Sequence, residues 1–256
     1  MHQNDYKLTV IISTYSDREL VSKKLDEITG QSAFDSCEFI FIDACSPEHE
    51  HELLQPFCSK HLNCRIIRSD ERISLYQAWN IGWKEARAPY VCVSNMDDMM
   101  HPKLLETVIR EVGMGSWDVL SVLIARQERD SNWNSWDQKR LSRLDLNTRP
   151  GAYFAWRKDL NSVLGMFDEN LVLIGDKDFW ARIRDHRLRI RLIPKLLYLY
   201  TKHEQQLSKK EEFRHLKASE RKLCSQKPYP HEWPRRFQWK ARLCRSLPFK
   251  YIYEPA

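Results

Sequence analysis

Asp97 and Asp98 are adjacent carboxylates that directly follow an apolar run at 90–94, and they are the residues best suited to hold a divalent cation. A hard cation takes oxygen ligands and bridges carboxylates to diphosphate oxygens. Alone, such a pair more often caps a helix or turns in solvent. Its neighbours in the pattern change that reading. Tyr15 and Asp43 stand just beyond two other short apolar runs, 8–12 and 39–42. Polar residues at the ends of three separate strands can converge on one site. The chain has only seven glycines and no G-x-G-x-x-G or G-K-[ST] loop, so a Gly-rich phosphate cradle is not expected. A cation held by carboxylates is the other device for the same task.

The elements that must position these groups are visible in the hydrophobic pattern. The β-branched run 8–12 reads as a buried strand, and Ser16 and Asp17 are suited to cap a helix reaching about 29. Strands are expected at 39–42, 65–68 and 90–94, with helices at 49–60 and 75–86 between them. Pro102 starts a further helix through 112. Alternating strands and helices imply a parallel sheet covered on both faces, with ligands outside the strands' carboxyl ends. The second half is less regular. Strands are expected at 119–124 and 153–156, a helix at 176–186, and apolar runs at 190–193 and 196–200.

With 256 residues, 42% of them hydrophobic, the chain is long enough for one large α/β domain plus a tail. Its apolar runs are too short to span a bilayer, and 1–7 lacks an apolar leader core. A cytoplasmic protein is therefore expected. Seven cysteines without a C-x-x-C pair argue against a disulfide framework or a structural zinc site. From 209 to 256 there are 13 Lys/Arg against 5 Glu, so the net charge of +6 comes from the tail.

Several segments, taken in order, resemble family 2 glycosyltransferases of the GT-A fold. They are L-T-V-I-I-S-T-Y-S at 8–16, E-F-I-F-I-D-A-C-S at 38–46, and S-L-Y-Q-A-W-N-I-G-W at 74–83. A-P-Y-V-C-V-S-N-M-D-D-M-M-H-P at 88–102, G-M-F-D-E-N at 165–170 and I-G-D-K-D-F-W-A-R at 174–182 complete the set. The resemblance implies a Rossmann-like, mostly parallel central sheet with flanking helices and a basic C-terminal extension. It divides the chain into a glycosyltransferase domain at 1–208 and the extension at 209–256. Within the domain, the nucleotide-binding half is about 1–112 and the acceptor-binding half about 113–208.

The resemblance also implies roles. Thr14 and Tyr15 would line the nucleotide base, with the Tyr ring offering a stacking face. Asp43 would accept a hydrogen bond from base or ribose. Asp97 would approach the ribose, while Asp98 is expected to ligate Mn²⁺ or Mg²⁺, and His203 to lie near the metal and diphosphate. Asp176 would be the general base of an inverting transfer, with Asp178 ranking second. Three residues depart from the pattern: Ala44, Asn95 and Gly175 replace common acids.

The activity so implied is sugar transfer from a nucleoside-diphosphate sugar to a glycan or lipid-linked acceptor hydroxyl, in polysaccharide or glycoconjugate assembly. The alternative is a catalytically inactive sugar-nucleotide or glycan-binding module on the same fold. Trp156 is expected in the core, and Trp133 and Trp136 are placed in a polar loop suited to acceptor contact. The tail interleaves aromatic and basic residues over 233–253, a pattern suited to peripheral contact with an anionic membrane or to packing on the domain. No nucleic-acid recognition motif accompanies it, so no nucleic-acid partner is expected.

Overall fold

The computed structural model describes residues 5–129, 136–137, 141, 144–147, 152–213, 215–227, 238, 243 and 247–253. Four strands, β1 (Leu8–Thr14), β2 (Cys37–Asp43), β3 (Cys64–Arg68) and β4 (Tyr90–Val93), stand where the apolar runs place them. Between them run α1 (Arg18–Thr29), α2 (His51–Lys60) and α3 (Leu75–Glu85). β1 pairs in parallel with both β2 and β4, and β2 pairs in parallel with β3. Side chains alternate across the sheet, as the pleat requires. Val10 and Ile12 join the core formed with α1, α2 and α4 (Leu104–Met114), whereas Ile11 joins the opposite core under α3.

The chain then continues through the two-residue β5 (Met99–Met100), α4, β6 (Val119–Glu128), β7 (Asp145–Asn147) and β8 (Ala155–Arg157). After the short α5 (Asn161–Leu164) come α6 (Gly175–Asp185), β9 (Ile190–Lys202), α7 (Leu216–Gln226) and α8 (Phe249–Ile252). The sheet order is β3-β2-β1-β4-β8-β6-β9-β5, with β7 added to β6.

This second half differs from a simple parallel continuation. β8 lies between β4 and β6 and runs antiparallel to both, so β6 again points the same way as β4. β9 is parallel to β6, and its carboxyl end therefore reaches the same sheet edge as those of β1, β2 and β4. The two apolar runs at 190–193 and 196–200 form one strand, not two. Pro194 has no N–H for the ladder, and the register jumps there: Ile193 faces Val122 while Leu196 faces Leu123. Short β5 pairs antiparallel with β9 through Met99–Leu199 and Met100–Tyr198, which draws the segment after Asp98 across onto β9.

Trp156 is fully buried, in the core as expected. Trp133 lies outside the described residues, as does most of 228–246. The described parts of the extension pack on the domain: Ile252 and Tyr253 are buried beside Leu123 and Leu199, and the Tyr253 hydroxyl donates to the Trp136 carbonyl at 2.6 Å. Among the described residues, no helix is long and apolar enough to cross a membrane.

Candidate active site

The motif helix α3 anchors the site from below. Ser74 and Gln77 form a reciprocal capping box that fixes its first turn. Gly82 lets the helix lie on β1, since a Cβ there would come within 2.6 Å of the Ile11 side chain. Asn80 clasps the 165–170 segment: its amide donates to the Phe167 carbonyl at 2.9 Å and the Glu169 carboxylate at 2.8 Å, and its carbonyl accepts from Phe167 N at 2.9 Å. That segment leads directly into α6 and Asp176.

At the end of β4 the two acids separate. The Asp98 carboxylate turns inward and is almost fully buried. One oxygen accepts from Thr201 N at 2.9 Å, and the other from the Tyr198 hydroxyl at 3.0 Å and Asn95 Nδ2 at 2.9 Å. Buried Lys24 holds the Asp98 carbonyl at 2.8 Å. Burial, reinforced by the neighbouring Asp97 charge, pushes the Asp98 carboxyl well above the usual carboxylate range. Three protein donors and near-complete burial thus tie the Asp98 carboxylate, the expected metal ligand, into the fold. Asp97 instead stays partly exposed, with Oδ2 2.8 Å from His203 Nε2. The Asp97–His203 pair is the one open to a ligand. Asn95 also gains a reason: its amide donates to Asp98, where an acid would set two carboxylates face to face.

Thr14, Tyr15 and Asp43 gather at the carboxyl ends of β1 and β2. Asp43 is fully buried, and its Oδ1 accepts from Ser46 N at 2.9 Å. Its Oδ2 lies 3.2 Å from His51 Nδ1 and 3.5 Å from Arg68 Nε, close enough for charge attraction, yet neither contact has hydrogen-bond alignment. Thr14 Oγ1 is likewise buried without a hydrogen-bond partner in the protein. Two buried oxygens without a hydrogen bond from the protein thus stand at adjacent strand ends. The Tyr15 ring is close by in sequence, but Arg72 covers one face, its guanidinium carbon 3.1 Å from the centroid. Only the other face remains for stacking.

Asp176 sits in the first turn of α6, partly buried, and burial raises its carboxyl above the ordinary value. The Tyr76 hydroxyl approaches its Oδ1 at 3.5 Å. Asp178, by contrast, is buried in ion pairs with Arg182 at 3.0 Å and Lys227 at 2.6 Å, which removes it as a base. The step from acid to Gly175 follows from Tyr76. A Cβ at Gly175 would meet that ring at 2.7–2.8 Å, and the ring is locked against Phe167 and Trp79. Gly175→Ala is expected to destabilise the protein by about 1–3 kcal/mol through overpacking, measurable by urea unfolding.

Sequence reasoning missed Tyr200 and the part played by Asp17. Burial first, and then the charges of Asp98, Asp97 and Asp176, push the Tyr200 hydroxyl up to about 12. The period-two spacing Tyr198, Tyr200 on β9 was the available signal. Asp17, read as a cap, has no capping hydrogen bond in α1; its carboxylate accepts from Tyr15 N at 3.2 Å. Burial first, then the Asp97 and Glu50 charges, raise it to about 7, so it belongs to the same acidic cleft. Among the described residues, His49, His51 and Glu52 also cluster, with ligand atoms within 4.8 Å, at the head of α2. Arg68 already lies 3.2 Å from His51 Nε2, and Arg18 lies 3.5 Å from Glu52.

The model of the family described as "Glycosyl transferase family 2" matches residues 9–186. The glycosyltransferase AglE of Haloferax volcanii is 22% identical over 188 residues, covering 70% of this chain and 61% of that protein. A dolichol-phosphate mannosyltransferase of Pyrococcus furiosus is 26% identical over 127 residues, covering 50% of this chain and 36% of that protein. The chain thus spans less than two thirds of the length of either relative. Among solved structures, S. aureus TarS 1–349 in complex with UDP-GlcNAc superposes with a TM-score of 0.65 at 19% identity, over 82% of this chain and 64% of that one. The mannosyltransferase PcManGT from Pyrobaculum calidifontis, in complex with GDP-Man and Mn²⁺, gives a TM-score of 0.65 at 17% identity, over 93% of this chain and 70% of that one. The fold is therefore of the GT-A type, and because the family match covers more than half of its residues, the chain belongs to glycosyl transferase family 2.

Proposed function

We propose that this chain is a metal-dependent, inverting glycosyltransferase that moves a sugar from a nucleoside-diphosphate sugar to a glycan or lipid-linked hydroxyl. One observation carries the reading. The half-open Asp97–His203 pair, the Asp176 carboxylate and the orphaned Thr14 and Asp43 oxygens all lie at one edge of one sheet. A carboxylate oxygen and an imidazole nitrogen suit Mn²⁺ or Mg²⁺, Mn²⁺ the better for the nitrogen. His203 presents Nε2 to Asp97, while its buried Nδ1 has no hydrogen-bond partner among the described residues. Bound there, the metal would offset charge on the departing diphosphate.

The chain's own residues supply the rest. Asp43 Oδ2 accepts an N–H from the base or a hydroxyl from the ribose, and Thr14 Oγ1 lines the same pocket. Asp176 takes the acceptor hydroxyl's proton as that oxygen attacks the anomeric carbon, while the bond from that carbon to the diphosphate breaks on the opposite face. Attack from the face opposite the departing diphosphate would invert the anomeric centre in a single displacement. Neighbours of the same fold carrying UDP-GlcNAc or GDP-Man with Mn²⁺ support a sugar-nucleotide donor. Polysaccharide or glycoconjugate assembly, and peripheral contact of 233–253 with a membrane, remain part of the proposal. No feature of the described site favours the inactive alternative, since Asn95 and Gly175 are both accommodated.

The test is a thermal-shift screen of nucleoside diphosphates and their sugars with and without Mn²⁺. Stabilisation follows RT ln(1 + [L]/Kd), so a ligand at 100 times its Kd adds about 2.7 kcal/mol. One nucleotide is expected to stand out, and only with metal. Equal shifts for all nucleotides, or none with any, would sink the proposal.

A further inference from the structure

We infer that Glu220, on α7 in the C-terminal extension, is a positioning residue that holds the segment carrying Asp176. The inference rests on the reading of Asp176 as general base. Glu220 lies beyond the end of the family match at residue 186. It is a charged side chain on a mostly exposed helix, yet it is only 4% exposed itself. Its two oxygens accept from three successive backbone N–H groups: Val172 at 2.7 Å, Leu173 at 3.0 Å and Ile174 at 3.2 Å. Ile174 is the residue directly before α6, and Asp176 is two residues further on.

A run of N–H groups ahead of a helix is electropositive, and a carboxylate held by three of them satisfies donors that would otherwise be buried alone. The hold is specific in direction: it fixes the backbone by which Asp176 enters its helix. Lys227, just after α7, supplies a second grip by donating to Asp178 at 2.6 Å and Asp168 at 3.2 Å. The extension therefore grasps the 168–178 stretch near both ends. Besides the long Tyr76 contact, the Asp176 carboxyl is steadied by backbone amides of its own turn, at Asp176 and Lys177, so its placement follows the backbone below. A displacement of about 1 Å in a reacting group can cost about 10²-fold in rate.

The experiment compares the full chain with Glu220→Gln, Asp176→Asn and the double variant, using the nucleotide sugar that the thermal-shift screen selects. Glu220→Gln is expected to lower kcat by about 10–100-fold. Its Kd for the nucleoside diphosphate with Mn²⁺ is expected to stay within about twofold, because Thr14, Asp43 and Asp97 lie on other elements. In the Asp176→Asn background the same change should cost nothing further, since Glu220 acts only through that carboxylate. Backbone amides at 172–176 should also exchange with deuterium at least about tenfold faster in Glu220→Gln, while those of β1 and β2 keep their rates.

Unchanged kcat or unchanged exchange at 172–176 would overturn the inference. So would a loss of donor affinity in step with kcat, or an equal loss in the Asp176→Asn background, either of which marks a general structural role. If Asp176→Asn keeps wild-type turnover, or the wild-type chain turns over no donor, the base reading itself fails and the inference goes with it. Loss in Asp176→Asn alone removes only the role of Glu220.

Discussion

Asp176→Asn is expected to lower turnover by about 10²–10⁴-fold while leaving nucleotide binding unchanged. The asparagine keeps the shape of the side chain and its approach to Tyr76, but it cannot take a proton. The pH dependence carries a second signature. Burial raises the Asp176 carboxyl, and the base works only when ionised, so kcat should rise with pH through that raised value. The Asn variant should lose this acid limb. Stability runs the other way. The folded protein holds the Asp176 proton more tightly than the unfolded chain, whose value is near 3.8. Stability from this group is complete below the unfolded value and is lost as pH rises through the folded one. At neutral pH the Asn variant should therefore melt slightly higher than the wild type, a gain in stability at the expense of chemistry. Rate–pH profiles and calorimetry of the two proteins check both statements. Wild-type turnover in the variant would remove Asp176 from the mechanism.

The adjacent acids should behave as opposites. Asp98→Ala leaves Thr201 N–H, the Tyr198 hydroxyl and the Asn95 amide without their buried acceptor. A loss of about 2–4 kcal/mol is expected, read as a lower urea midpoint at unchanged slope. Asp97→Ala removes a partly exposed carboxylate that pairs with His203 among the described residues, so its effect on stability should stay within about 1 kcal/mol. Its effect on ligand binding is the large one. Loss of mere outer-shell partners already costs metal sites about 10–100-fold in affinity, and loss of a ligand should cost at least that. Mn²⁺-dependent nucleotide binding, followed by titration calorimetry, should collapse in Asp97→Ala. If Asp97→Ala binds normally and a well-folded Asp98→Ala does not, the assignment of the two acids is reversed.

Much of this protein was legible in its sequence. Four apolar runs with helical stretches between them specify a parallel β1–β4 sheet, because strand and helix periods leave few other ways to bury those faces. The same logic puts Tyr15, Asp43 and the 97–98 acids outside strand ends, where the sheet edge is open. The family resemblance also drew attention to Asp176 and His203, which the structure sets in the first turn of α6 and beside Asp97. What the sequence could not decide was which of two neighbouring carboxylates faces the cleft. That depends on β5 crossing onto β9 and carrying Asp98 to Tyr198 and Thr201, a pairing between residues about 100 positions apart. The antiparallel insertion of β8, the joining of 190–202 into one strand across Pro194, and the reach of Glu220 back to 172–174 are of the same kind. Local pattern fixes an element and the faces it buries. Tertiary structure alone decided that Asp98 is buried against Thr201, Tyr198 and Asn95 while Asp97 stays partly exposed beside His203, because hydrogen-bond partners far apart in the chain are chosen only once the sheet has closed around them.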